Sequence, residues 1–365
     1  MKIAIVAPLV TAIREPHLGG SQAFLGDLAR GLTGRGHEVH LYAATGSEVA
    51  GVQVIDAGVD PAALAATLYR ASGGAVAPGL GAAEAAFARV YAAMGEDRYD
   101  LVHNHAFDAP AIALATALDA PVVHTLHLPP APAVADAVRH AARSASPPTM
   151  AAVSGWQANA WRPVASIGAI LPPYVPTRLI PWSSAAGRGA LFAGRLSPEK
   201  GVVEAIEIAR AAGIPIDVYG DPYDPRYTRE RVQPRGAKPG VCLHPAVPRA
   251  ALWEAMARAA VVLCPARWEE PFGMVAAEGQ ACGTPVVAFL RGALGEVIVD
   301  GRTGFLIAPG DIQAAARAVT DATGLSRSQC RNHAENHLDL ELSLDAHEHL
   351  YARVARAGAG AAIGG

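Results

Sequence analysis

Short apolar runs recur along the chain, and their length and composition predict buried parallel strands. A strand covered on both faces appears as a continuous apolar segment rather than as an alternation of apolar and polar residues. Segments with apolar positions three and four residues apart, such as residues 24–32, alternate with these runs and predict helices. This alternation predicts an α/β protein with parallel sheets. The predicted strands are residues 3–7, 37–42, 101–105, 122–127, 151–154, 167–171, 190–194, 216–220, 241–244, 260–264, 285–288 and a last strand entered by a turn over residues 300–306.

The length of 365 residues predicts about two domains. Proline-rich sequence between the two sets of strands indicates a semi-stiff connection, because clustered prolines suit neither a helix nor a central strand. The predicted division is an N-terminal domain over residues 1–172, a linker over 173–188 and a C-terminal domain over 189–340.

Composition narrows the class of protein. Apolar residues form 51% of the chain and charged residues 17%, which is typical of a globular protein with large cores and excludes a disordered one. The formal net charge of −3 gives no electrostatic argument for nucleic-acid binding. We expect no membrane span, since the chain has no uncharged apolar stretch of the required length. The four cysteines form no C-x-x-C pair, which favours free thiols and a cytoplasmic location. Abundant Ala, Gly and Arg, with only three lysines, indicate a bacterial source.

The stretch of residues 267–288 carries the clearest candidate site. Glu270 precedes a predicted short helix and Glu278 lies near its middle, while Pro271 can begin the helix and Gly283 can end it. The first turn, from about Gly273 to Val275, offers backbone N–H groups and the positive end of the helix dipole. Such a site suits a phosphate group flanked by two sugars, each bound by one carboxylate.

A second candidate segment follows the strand at 190–194. Arg195 and Lys200 lie five residues apart across a strand-to-helix loop. Arg offers a planar fork for phosphate oxygens and Lys a compact charge, so both can reach one diphosphate. A solvated Arg and a helix-start Lys are the simpler interpretation, but a cation at a helix N-terminus opposes the dipole.

The N-terminal half offers weaker signals. Gly19 and Gly20 open a helix but do not form G-x-G-x-x-G, which argues against a nicotinamide site. His105 and His127 stand at the ends of two predicted strands, where open α/β sheets bind ligands. A zinc site of these two residues with His103 lacks a further ligand motif, and we expect no metal.

The segment from Glu270 to Glu278, Glu-Pro-Phe-Gly-Met-Val-Ala-Ala-Glu, resembles the Glu-seven-residues-Glu motif of the retaining GT-B glycosyltransferases of family four. The segment from Gly194 to Gly201 resembles the family's donor-diphosphate motif, and Thr125-Leu126-His127 resembles its Thr-x-His motif. The resemblance implies two Rossmann-like domains that face a cleft, with the final helix, about residues 341–356, packing back on the first domain.

The same resemblance assigns roles to residues. Glu270 would contact the donor sugar and Glu278 the ribose, while Arg195 and Lys200 would bind the diphosphate and His127 would lie beside the donor sugar. The expected catalytic residues are Glu270, His127, Arg195 and Lys200, and His105 and His17 are candidates for the acceptor side. The full expected donor-binding set is Gly19, Gly20, Arg195, Lys200, Glu270, Phe272, Gly273, Met274, Val275 and Glu278.

The resemblance implies transfer of a hexose-type sugar from a nucleoside-diphosphate sugar to a hydroxyl, with no cofactor and no metal. UDP is the favoured nucleotide, although His244-Pro245 stands where family members commonly carry Gly near the base. Residues 61–95 predict two short helices without a basic face, which favours a small soluble acceptor, such as a secondary metabolite. A sugar-nucleotide epimerase or hydrolase, a nicotinamide oxidoreductase and a non-enzymatic sugar-binding protein remain as alternatives.

Overall fold

Two parallel sheets dominate the computed structural model, which describes residues 1–61, 80–95 and 97–363. The described residues form two compact units. The first unit draws on Met1–Arg14, Ser21–Pro172 and Ser343–Gly365, and the second on Glu15–Gly20 and Pro173–Leu342. The predicted helices of residues 61–95 fall partly on residues 62–79, which lie outside the described residues.

The first unit contains, in its described part, a seven-stranded parallel sheet in the order β3-β2-β1-β4-β5-β6-β7. The strands are β1 Lys2–Val6, β2 Glu38–Ala43, β3 Gln53–Asp56, β4 Leu101–Asn104, β5 Val122–Leu126, β6 Thr149–Ala152 and β7 Ala169–Ile170. Its helices are α1 Gly20–Gly34, α2 Leu80–Met94, α3 Ala109–Ala115, α4 Pro132–Ala141 and α5 Gly155–Trp161.

The apolar runs of the sequence become the central strands of this sheet. Ile3 of β1 pairs with Val39 of β2 and with Leu101 of β4, and these strands are buried. The sequence pattern does not predict β3, because its four residues lie at the sheet edge and its ends are exposed.

The second unit contains, in its described part, a six-stranded parallel sheet in the order β10-β9-β8-β11-β12-β13. Its strands are β8 Ala190–Ala193, β9 Ile216–Tyr219, β10 Val241–His244, β11 Val261–Cys264, β12 Val286–Phe289 and β13 Gly304–Ile307. The helices that follow along the chain are α6 Val202–Ala211, α7 Pro225–Tyr227, α8 Gln233–Gly236, α9 Arg249–Arg258, α10 Met274–Ala281, α11 Leu294–Val297, α12 Ile312–Ala322, α13 Arg327–His337 and α14 Leu340–Ile363.

The order of this sheet is that of a doubly wound α/β fold, in which the chain begins in the middle and adds strands outward in both directions. Loops at the carboxyl ends of β8 and β11 therefore lie next to each other, since these two central strands are paired. Arg195 and Lys200, which are predicted to bind a diphosphate, follow β8. The segment from Glu270 to Glu278, here called the two-glutamate segment, follows β11.

Residues 173–188, predicted as a linker, group with the second unit. There the backbone of Val175 donates a hydrogen bond to Leu338 and accepts one from Leu340. The buried guanidinium of Arg331 donates to the carbonyls of Thr177 and Ile180. Residues 15–20, which follow β1 in sequence, also group with the second unit.

The final helix begins beside Val175 and continues among the residues of the first unit. Its Ser343 donates a hydrogen bond to the carbonyl of Pro172. Its Glu348 forms an ion pair with Arg35 at 2.6 Å, and its buried Tyr351 contacts His103 in β4. Among the described residues, no helix is long and apolar enough to span a membrane.

Candidate donor-binding site

Lys200 and Glu270 form the centre of the candidate site in the second unit. Lys200 ends a 3-10 turn, Pro198–Lys200, after β8, and Glu270 lies in the loop between β11 and α10. The Lys200 ammonium donates to both carboxylate oxygens of Glu270, at 2.9 and 3.2 Å. The indole of Trp268 donates to the same carboxylate at 2.8 Å, and Lys200 lies 4.9 Å from the centre of that ring. The structure therefore joins two predicted site residues that are 70 positions apart.

Gly201 makes the turn after Lys200. Its φ of +75° is unfavourable for residues with a side chain, and a Cβ at this position would lie 1.9 Å from the Pro265 carbonyl oxygen. The turn is thereby packed against the end of β11, close to the loop that carries Glu270.

Arg195 precedes the 3-10 turn Pro198–Lys200 in the chain. Its guanidinium is 4.5 Å from the ring centre of Tyr223 and 3.4 Å from a carboxylate oxygen of Glu199. Its buried Nε has no hydrogen-bond partner among the described residues. A buried donor without an acceptor costs free energy, so an anionic ligand that accepts from Nε would relieve this cost.

The helix that carries Glu278 begins later than the sequence predicts. Pro271 precedes the helix, and α10 starts at Met274 after Gly273, whose φ is +104°. A Cβ on Gly273 would lie 2.6 Å from Cδ2 of Leu294, so the chain needs glycine here to pack against α11. Phe272 is buried, and the first-turn N–H groups of Met274 and Val275 have no intrahelical acceptor.

Glu278 is buried in α10 and bound by two residues that the sequence reasoning missed. Arg249 donates through Nε and Nη2 at 3.0 and 2.9 Å, and Trp253 donates through its indole at 3.0 Å. The same argument that drew attention to Lys200 would have found Arg249: it is a cation at the first position of a helix, where the dipole disfavours it.

A second ion pair lies beside the two-glutamate segment and was also missed. Glu269 accepts from Arg291 at 2.8 Å and from the backbone N–H of Gly292 at 2.7 Å. The backbone of Glu270 in turn accepts from the N–H of Ala293 at 2.8 Å. The loop after β12 therefore holds the Glu270 loop in place through both side-chain and backbone contacts.

The N-terminal glycines lie within the segment that groups with the second unit. Gly20 packs against Met274, and a Cβ on Gly20 would lie 2.8 Å from the Met274 sulfur. Gly19 belongs to the same segment, as does His17, whose Nε2 is 3.5 Å from a carboxylate oxygen of Glu15. Glu15 also accepts a hydrogen bond from the backbone N–H of Arg249 at 3.0 Å.

His105 and His127 belong to the first unit and contact each other, with Nδ1 of His105 2.8 Å from Nε2 of His127. Both rings are buried, and burial is the main cause that lowers the pKa of each, to about 3 for His127. Neighbouring histidines are the second cause. Both are therefore neutral near pH 7, and one ring donates an N–H to the other. Within the described residues, no group of three or more His, Cys, Asp or Glu side chains is arranged to hold a metal ion.

Comparisons with known proteins match this architecture. The family description "Glycosyl transferases group 1" matches residues 187–337, and "Glycosyltransferase Family 4" matches residues 18–165. A D-inositol 3-phosphate glycosyltransferase of Xylanimonas cellulosilytica is 30% identical over 360 residues, covering 84% of each chain. A glycogen synthase of Mycobacterium tuberculosis is 28% identical over 275 residues, and the match spans only 65% of that relative's length and 65% of this chain.

A solved structure extends the match in fold. Anabaena HepE, crystallised in complex with UDP-glucose, has a TM-score of 0.73 and 22% identity, and the match covers 96% of this chain and 100% of that one. The predicted fold class, with two Rossmann-like parallel-sheet domains, is confirmed. The chain belongs to the family 4 glycosyltransferases, which have the GT-B fold.

Proposed function

We propose that the protein is a retaining glycosyltransferase. It moves a hexose-type sugar from a nucleoside-diphosphate sugar, with UDP favoured, to a hydroxyl of a small soluble acceptor. Family membership supports sugar transfer, and the UDP-glucose bound by Anabaena HepE supports the nucleotide. The single observation that carries the proposal is the Lys200–Glu270 pair, which joins the segment after β8, where Arg195 lies, to the segment that leads into α10.

The pair is suited to exchange partners when a donor arrives. Both side chains retain some solvent exposure, 25% for Lys200 and 16% for Glu270, and ion pairs at such sites add little net stability. Lys200 can therefore move its hydrogen bonds to a phosphate oxygen, while Glu270 accepts from hydroxyls of the donor sugar. Neither charge needs to lose all its partners in this exchange.

Departure of the nucleoside diphosphate defines what these groups do in the reaction. The bond between the anomeric carbon and the phosphate oxygen breaks, and its electron pair stays on that oxygen. Lys200, Arg195 and the N–H groups at the start of α10 stabilise the resulting charge. The acceptor hydroxyl forms the new bond from the same face, and its proton passes to the departing phosphate. This account requires neither a protein nucleophile nor a metal ion.

Replacing Lys200 tests the charge stabilisation directly. We expect Lys200→Ala to lower kcat by about 100-fold, because preorganised groups of this type often contribute that factor. The measurement is release of nucleoside diphosphate from a panel of UDP-, GDP-, ADP- and dTDP-sugars in the presence of candidate acceptors such as inositol phosphates and simple alcohols. Lys238→Ala, which changes an exposed lysine of the same unit, is the matched control and should retain wild-type turnover.

Three results would oppose the proposal. Near wild-type turnover of Lys200→Ala would remove the assigned role of the ammonium. Rapid hydrolysis or epimerisation of a donor without acceptor would favour a hydrolase or an epimerase instead. Inversion at the anomeric carbon of the product, determined by NMR, would exclude retention while leaving glycosyl transfer intact.

A further inference from the structure

The buried cluster around Glu278 has an uneven hydrogen-bond pattern. Arg249 and Trp253 lie four residues apart on one face of α9, and the guanidinium carbon lies 4.7 Å from the centre of the indole ring. Arg249, Trp253 and Glu278 are 7%, 6% and 5% exposed. Among the described residues, the hydrogen bonds to this carboxylate all end on Oε1.

This pattern differs from what an ion pair formed for stability would adopt. An Arg fork commonly binds both oxygens of a carboxylate, one N–H to each. Here two N–H groups of Arg249 and the indole N–H of Trp253 converge on a single oxygen. Three donors fill the acceptor capacity of Oε1 and orient the carboxylate, so Oε2 remains as an acceptor for a ligand.

We propose that Arg249 and Trp253 are positioning residues that aim Oε2 of Glu278 at a ribose hydroxyl. They thereby make the protein select ribonucleoside over 2′-deoxyribonucleoside diphosphates. This inference rests on the proposed function and on the role that the family resemblance implies for Glu278, which is to bind the ribose of the donor. Arg249 supplies the opposite charge next to the buried carboxylate, since removing a buried partner leaves an uncompensated charge, and Trp253 restricts the rotation of the carboxylate.

The cluster around Glu270 provides an internal comparison. There Lys200 and Trp268 also combine a cation with an indole N–H, and the ammonium lies over the ring. However, Lys200 binds both oxygens of Glu270, so neither oxygen is singled out. Substituting Trp268 therefore removes an equivalent indole N–H without touching the group that reads the ribose.

The experiment measures nucleotide selectivity rather than activity alone. Isothermal titration calorimetry of the full chain compares the binding of UDP with that of 2′-deoxy-UDP, and likewise compares GDP and ADP with their 2′-deoxy forms. The nucleotide pair that wild type binds most tightly is then used for the variants. The variants are Trp253→Phe, which keeps the ring but removes the N–H, and Arg249→Lys, which keeps the charge but removes the fork. Trp268→Phe is the matched control.

We expect wild type to prefer the ribonucleotide by about 10-fold, as one hydrogen bond to a charged group contributes roughly that factor. Trp253→Phe and Arg249→Lys should bring the preference to within about threefold of unity, mainly by weakening ribonucleotide binding. Trp268→Phe should keep the wild-type preference. Far-ultraviolet circular dichroism and melting curves test whether each variant is folded. If Trp253→Phe does not fold, Arg249→Lys alone tests the proposal.

The outcomes separate the two proposals. If wild type prefers the ribonucleotide and folded variants retain that preference, positioning by Arg249 and Trp253 is wrong and the proposed function stands. The same conclusion follows if wild type binds both nucleotides equally. If wild type binds no nucleoside diphosphate, the proposed function itself is overturned, and this inference with it.

Discussion

Charge pairing at single residues determines which groups of the second unit are available to a ligand. Glu269, Glu270 and Glu278 lie close in sequence, yet each has a different cationic partner in Arg291, Lys200 and Arg249. Glu270 is bound through both oxygens by a lysine that is itself partly exposed, whereas Glu278 is buried beneath an arginine. In the proposed function the Lys200–Glu270 pair opens to admit a donor sugar, whereas the Arg249–Glu278 pair stays closed.

Substituting Glu270 separates sugar contacts from nucleotide contacts. We expect Glu270→Gln to lower kcat about 100-fold, because the amide loses the charge and presents N–H groups where Lys200 and Trp268 donate. Binding of the free nucleoside diphosphate should change by less than about threefold, since Glu270 is assigned to the sugar. Steady-state kinetics and calorimetric titration with the nucleoside diphosphate give the two values.

Glu207→Gln is a suitable control for this prediction. Glu207 lies on α6 of the second unit and pairs with Arg235 rather than with a residue of the two-glutamate segment. Loss of turnover in the control as large as in Glu270→Gln, or equal loss of nucleotide affinity and turnover in Glu270→Gln, would contradict the assignment of Glu270 to the sugar.

At this scale local motifs single out charged groups, but they do not predict the partners of those groups. Lys200 and Glu270 were predicted as site residues from local motifs, and so was the helix N-terminus that follows Glu270. The partner of Glu278 was not predicted, because Arg249 lies 29 residues earlier and only the packing of α9 against α10 brings the two together. A motif read along the chain carries no direct information on such contacts.

Strand-to-helix turns are the elements that place these side chains. The turn after β8 carries Arg195 and Lys200, and the loop after β11 carries Glu270. Because the two strands are neighbours in a parallel sheet, their carboxyl ends bring the two segments together. The close approach of Gly201 to the Pro265 carbonyl locks one turn against the other.

Adding a methyl group at Gly201 should disrupt this arrangement. The new Cβ would lie 1.9 Å from the Pro265 oxygen, and alanine would also be strained at a φ of +75°. We expect Gly201→Ala to lower the free energy of unfolding by at least about 2 kcal/mol, and to lower turnover as Lys200 is displaced. Urea denaturation followed by circular dichroism, together with steady-state kinetics, measures the two effects.

Gly213→Ala isolates the backbone strain from the collision. Gly213 has nearly the same φ, +71°, but a Cβ there would meet no atom within 4 Å among the described residues. Its free energy of unfolding should fall by about 1 kcal/mol, with turnover unchanged. Equal destabilisation of the two variants would show that contact with Pro265 has no energetic consequence.

The sequence predicted most central elements because continuous apolar runs are what buried parallel strands require. It failed where burial does not govern the pattern, as at the edge strand β3 and at the later start of α10 after Gly273. The order of strands in each sheet follows from crossover connections, and no residue pattern within a strand specifies it.

Across the whole molecule, buried histidines concentrate in the first unit. Five of them lie on β4, β5, the segments that follow these strands, and α14. They are His103, His105, His124, His127 and His347. The ring centres of His103 and His105 are 3.9 Å apart, and those of His103 and His347 are 5.5 Å apart. Protonating one of these buried rings would therefore place a positive charge next to other histidine rings and away from solvent.

These histidines should make the first unit sensitive to acid. Burial lowers the pKa of all five, to about 3 for His124 and His127 and about 4 for His347, and well below the ordinary value for His103 and His105. The unfolded chain therefore binds protons first as the pH falls. Their contribution to stability is complete above about pH 6.5 and is lost progressively as the pH falls towards the folded-state values.

We expect the melting temperature to fall steeply below pH 6.5, since each such histidine contributes a slope of up to about 1.4 kcal/mol per pH unit. Melting curves followed by circular dichroism between pH 8 and pH 4.5 measure this fall in melting temperature.

His347→Gln should show a shallower fall because one buried titrating group is gone. His349→Gln, which alters an exposed histidine two residues later on the same helix, should match wild type. If both variants lose stability with pH as steeply as wild type, His347 does not contribute to the acid sensitivity, and a pH-independent melting temperature in wild type would contradict the role of the whole cluster.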